Sequence, residues 1–171
     1  MIYLLAAGHG RRAGGPKAWL DCEGKSLLER QLDFVCGLKD ARPVVAVQKG
    51  WLARCAELGY PARWVDVDPD AAPIASLQSL LKAFPAGGLV WHVDMRVWEP
   101  ALIETMREAG GTAVPVCRGR RGHPVSLSAA DAAAVLELPP ATGRLDRFLR
   151  GRAREIEVPY ECALDNWNDG R

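Results

Sequence analysis

The opening segment Met1–Lys17, MIYLLAAGHGRRAGGPK, constrains what this chain can fold into more than any other stretch. Residues suited to a buried strand run straight into a loop with glycines at positions 8, 10, 14 and 15. Glycine admits positive φ and lets other backbone come close. Unpaired N–H groups curled into such a loop form a concave anion site. Arg11, Arg12 and Lys17 stand beside it, and cations grouped in this way favour a polyphosphate. A flexible glycine-rich turn is the plainer alternative, but strand, loop length and cations all agree on phosphate.

The rest of the chain alternates in the same manner. Ser26-Leu27-Leu28-Glu29 is a capping-box pattern, and Leu28, Leu32 and Val35 then fall on one helical face. Pro43 to Val47 is continuously apolar, as a strand covered on both faces should be. A helix over Trp51 to Leu58, a strand over Ala62 to Val67 and an acidic, proline-bearing loop over Asp66 to Pro73 follow. Next come a helix over Ile74 to Phe84, a buried strand over Leu89 to Val93 and a helix over Pro100 to Ala109. Thr112 to Cys117 and Pro124 to Leu127 read as strands around the turn Arg118 to Gly122. Ser128 suits the cap of a helix over Ala129 to Leu136, and a short helix over Leu145 to Leu149 precedes a strand over Arg154 to Val158. Strands alternating with helices predict a single α/β domain over residues 1–171, with a doubly wound, mainly parallel sheet. Ligands of such sheets sit beyond the carboxyl ends of the strands, which is where the opening loop leaves strand one.

Composition narrows the partners. With 22 Lys and Arg against 21 Asp and Glu, the 171-residue chain lacks the basic excess of a bulk nucleic-acid binder. Its apolar runs fall short of the roughly 18 residues of a membrane span, and the opening lacks the basic leader of a signal peptide. Five scattered cysteines with no CxxC spacing argue against a zinc site or disulfide framework and for a reduced, cytoplasmic protein. Oligomeric state is not legible.

Asp94 follows the buried strand LVWHV, so it projects from a carboxyl strand end, and Asp165 follows the last extended stretch. Magnesium is commonly held by one or two carboxylates plus phosphate oxygens. Two aspartates from distant segments over one polyphosphate would serve that purpose, whereas each alone also fits a turn or cap. His123, in Gly122-His123-Pro124, suits either a substrate contact or a packed turn histidine. The cluster Arg118, Arg120 and Arg121 reads as a solvated turn, though near the expected mouth it could also meet an anionic substrate. Among six tryptophans, Trp64 and Trp91 fall in strands, while Trp98 and Trp167 flank the two aspartates and could line a pocket. Ser76 is placed to cap the helix that follows the acidic loop, with nearby N–H groups able to meet a base or phosphate.

Taken together these residues resemble the nucleotidyltransferases of molybdenum cofactor maturation. The family pattern LAAGxGxRxGxxK is met by Leu5 to Lys17, with Arg12 and Lys17 as its arginine and lysine. The family's magnesium-binding DxP becomes Asp94-Met95-Arg96, an SLxxxL segment matches Ser76 to Leu81, and GxxGHPV matches Gly119 to Val125. The terminal DxDTPxD becomes Ala163 to Asp169, which makes Asp165 the second metal ligand. Departures are Arg96 and Trp167 in place of prolines and Asn168 in place of an acidic residue.

The resemblance implies a Rossmann-like domain of the nucleotide-diphospho-sugar transferase type. It implies magnesium as cofactor, a nucleoside triphosphate (CTP or GTP) and a phosphorylated acceptor such as molybdopterin as partners. Backbone around Leu5, Ala6, Ala7, Gly8 and Gly10, with Arg12, Lys17, Ser76 and Asp94, would hold the nucleotide. Arg12, Lys17 and Asp94 would act in catalysis, and Asp94 with Asp165 would hold the metal. The GHPV segment leans toward the cytidylyl branch. A sugar phosphate, alditol phosphate or phosphonate acceptor is the alternative within this chemistry. A nucleotide-binding regulator without catalysis is the alternative outside it, motivated by Arg96 and the altered last motif.

Overall fold

The computed structural model describes residues 1–10 and 14–167. In chain order it contains β1 (Ile2–Leu5), β2 (Asp21–Cys22), β3 (Lys25–Ser26), α1 (Leu27–Gly37), β4 (Pro43–Gln48), α2 (Leu52–Glu57) and β5 (Arg63–Val67). There follow α3 (Pro73–Ala83), β6 (Gly88–His92), α4 (Pro100–Glu108), β7 (Ala113–Cys117), β8 (Arg120–Arg121) and β9 (Val125–Leu127). The last elements are α5 (Ala129–Leu136), α6 (Leu145–Phe148) and β10 (Arg154–Glu157).

The main sheet runs β10-β7-β9-β6-β1-β4-β5, with β8 pairing on β7. Strand β1 lies between β4 and β6 and is parallel to both, Leu5 standing opposite Ala46 on one side and His92 on the other. One strand in this row is reversed: β9 is antiparallel to β6 and β7. The link from Cys117 to Val125 is too short for the crossover that a parallel neighbour requires, so the chain turns back on itself. Part of that predicted turn, Arg120–Arg121, pairs with the end of β7 as a short strand.

Both faces of the sheet are covered, which explains the unbroken apolar runs. Ile2 and Leu4 join α1 and α4 in one core cluster through Leu28, Leu32, Leu102 and Ile103. Tyr3 and Leu5 point the other way, to Leu77 and Leu80 of α3 and Val135 of α5. Period-two alternation along β1 thus divides its side chains between two cores.

Local chemistry sets the helix starts. Ser26 caps α1 in a full capping box with Glu29, and Ser128 accepts from the Asp131 N–H at the start of α5. The capping role expected of Ser76 does not hold. Helix α3 begins at Pro73 with Ala72 as its cap residue, because proline suits a first helical position. Ser76 lies buried inside that helix, its N–H donating to the Ala72 carbonyl at 3.4 Å. The β2–β3 hairpin was not anticipated; Glu23 and Gly24 at its tip both have positive φ, as a primed two-residue turn requires. Among the described residues, no helix is long and apolar enough to cross a membrane.

Candidate active site

The loop after β1 leaves the middle of the sheet at its carboxyl edge. Leu5 and Ala6 remain part of the sheet: the Leu5 carbonyl accepts from Val93 N–H and the Ala6 N–H donates to Ala46, both at 2.9 Å. Neither of those groups is available to a ligand. The Ala7 carbonyl is held by Gln48 Nε2 at 3.0 Å, and Gly8 beyond it is exposed. Gly10 is where the loop cannot do without glycine. Its φ is +59°, and a Cβ there would stand 1.9 Å from the Gly15 carbonyl oxygen. The Gly15 N–H donates back to the Gly10 carbonyl at 3.3 Å, closing the loop upon itself. Arg12, with Arg11 and Ala13, lies outside the described residues. His9 reaches Asp70 of the acidic loop at 3.0 Å, a contact that only long-range folding could reveal.

Lys17 opens a short 3-10 turn (Lys17–Trp19) and points at Asp94, with Nζ 2.5 Å from Oδ2. The pair is sheltered, the side chains being 23% and 15% exposed. Asp94 follows β6 in a tight turn closed by Met95 N–H to the His92 carbonyl. That turn is clamped from beneath by Gln31 of α1, whose Nε2 donates to the carbonyls of Val93 at 2.8 Å and Met95 at 2.7 Å. Gln31 in turn accepts from the Trp91 indole at 3.1 Å and is fully buried. Sequence reasoning did not single out Gln31. The available signal was a glutamine on the apolar face defined by Leu28, Leu32 and Val35, where a polar side chain persists only with partners.

The segment bearing Asp165 follows a 3-10 turn (Glu161–Leu164), not a strand, and lies against the residues after β6. Met95 bridges Asn166, the Trp167 N–H donates to Asp94 at 2.6 Å, and the Arg96 N–H donates to Asp165 at 3.3 Å. Both aspartates are therefore brought to one corner. Each carboxylate carries a cation there: Lys17 on Asp94, and Arg96 on Asp165 through Nε at 2.8 Å and Nη2 at 2.7 Å. Trp98 and Trp167 flank Arg96, their ring centroids 5.9 and 5.1 Å from its guanidinium carbon. Among the described residues, no group of three or more His, Cys, Asp or Glu side chains forms a metal cluster by itself. Two hard carboxylates are nevertheless donors of the kind that magnesium or manganese takes.

Beside this corner, a cavity of about 710 Å³ opens between α3 and the α6 region. Leu5, Ile74 and Leu77 form apolar wall, and His92, His123 and Arg144 supply polar groups. Burial lowers the pKa of His92, and burial together with the neighbouring His92 pushes that of His123 down to about 4. Both imidazoles are thus neutral near pH 7, meeting edge to face at 6.3 Å. His123 Nδ1 is buried without a hydrogen-bond partner among the described residues. The His123 position depends on Gly122, because a Cβ there would come 2.3 Å from the Ala163 carbonyl, which also accepts from the His123 N–H. Of the arginines before it, Arg121 lines the cavity but pairs with Glu155, and Arg118 pairs with Glu161. These contacts agree with a surface turn.

The glycine loop at the carboxyl end of β1, whose terminal Lys17 meets Asp94 after β6, lies where doubly wound α/β folds bind their ligands. The chain belongs to the MobA-like NTP transferase domain family, whose pattern matches residues 2–157. A protein of Opitutus terrae described as a probable molybdenum cofactor guanylyltransferase is 36% identical over 114 residues, or 62% of this chain and 53% of that one. The chain thus spans about half the length of that curated relative. Rv0371c of Mycobacterium tuberculosis H37Rv has a similar structure, with a TM-score of 0.77 at 22% identity over 98% of this chain and 93% of that one. The same protein is also known in complex with manganese, with a TM-score of 0.73 at 20% identity over 92% and 86% of the two chains. Molybdopterin-guanine dinucleotide biosynthesis protein A of Archaeoglobus fulgidus gives a TM-score of 0.73 at 20% identity over 98% and 92%. At these identities the structural likeness is one of fold.

Proposed function

We propose that this protein is a divalent-metal-dependent nucleotidyltransferase of the cytoplasm, acting through one domain over residues 1–171. It moves a nucleoside monophosphate from a nucleoside triphosphate to a phosphorylated acceptor of the molybdopterin kind and releases pyrophosphate. The observation that carries this reading is the Lys17–Asp94 contact, which ties the glycine loop to the carboxyl end of β6. A cation suited to phosphate and a carboxylate suited to a metal thereby share one corner of the sheet.

In this reading the N–H groups of the Ala7 to Gly10 region, with Arg12 and Lys17, hold the triphosphate. Asp94 and Asp165 would hold magnesium or manganese, which when bound neutralises charge at the α-phosphate. An acceptor phosphate oxygen forms its bond to the α-phosphorus as the bond to the β-bridging oxygen breaks. Pyrophosphate departs with that electron pair. The protein's part is to align the two partners and to meet developing charge with its cations. The apolar cavity with its two neutral imidazoles is suited to a ring-bearing acceptor.

The GHPV segment supports cytidylyl transfer. A second reading, guanylyl transfer, is favoured by the description of the Opitutus terrae relative. Purified protein should release pyrophosphate from one of CTP, GTP, ATP and UTP when magnesium and molybdopterin are present. Release with a sugar phosphate, alditol phosphate or phosphonate instead would change the acceptor. Nucleotide binding without turnover on the whole panel would overturn the reading in favour of a regulator.

A further inference from the structure

Arg96 is an unexpected residue to find beside a candidate metal corner, and its surroundings are specific. Both its Nε and its Nη2 approach the same oxygen, Oδ2 of Asp165, at 2.8 and 2.7 Å. Its guanidinium also faces the Trp167 and Trp98 rings, a cation–π setting that holds a charge independently of a carboxylate. The position of Asp165 does not depend on the ion pair. Backbone bonds from Trp167 to Asp94 and from Arg96 to Asp165, with the Met95–Asn166 bridge, hold the two segments together. The side-chain pair can therefore open while both segments stay where they are. At 32% and 40% exposure it is also weak enough to exchange.

We propose that Arg96 is an exchangeable counter-ion of Asp165 that makes metal and nucleotide bind as one unit, a reading that rests on the metal corner assigned above. With Lys17 on Asp94 and Arg96 on Asp165, the two carboxylates are already neutralised. A divalent cation arriving alone must displace Arg96 from Asp165 and leaves its guanidinium without that carboxylate. One arriving with a triphosphate brings that anion, and the released guanidinium turns from Asp165 to a phosphate oxygen. The result is a positive coupling between the two ligands, reciprocal by thermodynamic necessity.

The test is manganese binding to the purified protein, followed by electron paramagnetic resonance or calorimetry, with and without a non-hydrolysable triphosphate. Arg96→Met keeps the apolar stem between the tryptophans and removes the charge. It should bind manganese alone about fivefold more tightly than the unaltered chain, the size expected for loss of a half-exposed ion pair. The enhancement of manganese affinity by the triphosphate should fall by a similar factor. Arg96→Lys should lie between the two, since it keeps charge but loses the two-pronged contact. Unchanged manganese affinity in Arg96→Met, while Asp94→Asn weakens it, overturns the counter-ion role alone. Unchanged affinity in Asp94→Asn overturns the metal corner and the counter-ion role with it.

Discussion

Lys17 Nζ lies 2.5 Å from Asp94 Oδ2, joining the end of the glycine loop to the end of β6 across 77 residues of sequence. This contact sets the geometry from which the function is argued. The loop alone offers N–H groups and the strand end alone offers a carboxylate. In the proposed reading, their meeting makes the place where phosphate charge and metal charge are managed together.

Asp94→Asn should lower turnover by about 100-fold or more, the scale seen when one charge-stabilising group is removed from a reacting centre. The fold should persist, because the turn around residue 94 is held by backbone groups and Gln31. Pyrophosphate release and the melting temperature, measured on one sample, separate the two effects. Lys17→Met should weaken triphosphate binding by roughly tenfold or more, the range of one hydrogen bond to a charged group. Calorimetric titration checks it.

The glycine loop yields a contrast between neighbouring positions. Gly10→Ala combines positive φ with a Cβ placed on the Gly15 carbonyl, so the loop must reopen and nucleotide binding should be lost. Gly14→Ala has a φ of +77° but meets nothing within 4 Å. It should cost only the left-handed backbone penalty, about 1–2 kcal/mol, and retain binding. Equal losses in both variants would show that the loop closure is not what holds the ligand.

Gln31→Leu would orphan the Val93 and Met95 carbonyls and the Trp91 indole in a fully buried setting. Unsatisfied buried groups cost about 1–3 kcal/mol each when no rearrangement relieves them. A drop of a few kcal/mol in urea unfolding is expected, with metal affinity falling too because Asp94 loses its platform.

Stability should fall with acid through the histidine pair. His123 has its folded pKa pushed down to about 4, below the usual 6.5, by burial and then by His92. Between those values the unfolded chain binds the extra proton and the folded chain does not. The contribution of neutral His123 is thus complete above about pH 6.5 and lost as pH falls toward 4. From the shift, the loss amounts to about 2–3 kcal/mol, with His92 acting in the same direction. Thermal unfolding from pH 7 to pH 4.5 should show the slope, and His123→Gln should flatten it.

Most strands and helices were legible because their signals are local: apolar runs, capping residues and glycine breaks. The short β2–β3 hairpin escaped because two-residue strands carry almost no periodicity. Ser76 misled because a serine near a helix start resembles a cap, whereas Pro73 begins the helix earlier. The arginine turn lies at the surface, where Arg118 and Arg121 meet glutamates from distant segments, and Arg121 also lines the cavity. Gln31 escaped for the opposite reason, its partners being carbonyls on another element.

The sequence by itself determined that a strand enters a glycine loop flanked by cations and that a doubly wound sheet would present this loop at its carboxyl edge. It also pointed to Lys17, Asp94 and Asp165 as residues with chemistry to perform. Only the tertiary structure decided which charges meet: Lys17 with Asp94, and Arg96 with Asp165 between two tryptophans. The physical reason is range. Backbone preference and periodicity act over a few residues and are written in order along the chain. An ion pair depends on where a sheet register and a returning terminal segment bring two side chains, and no local pattern encodes that.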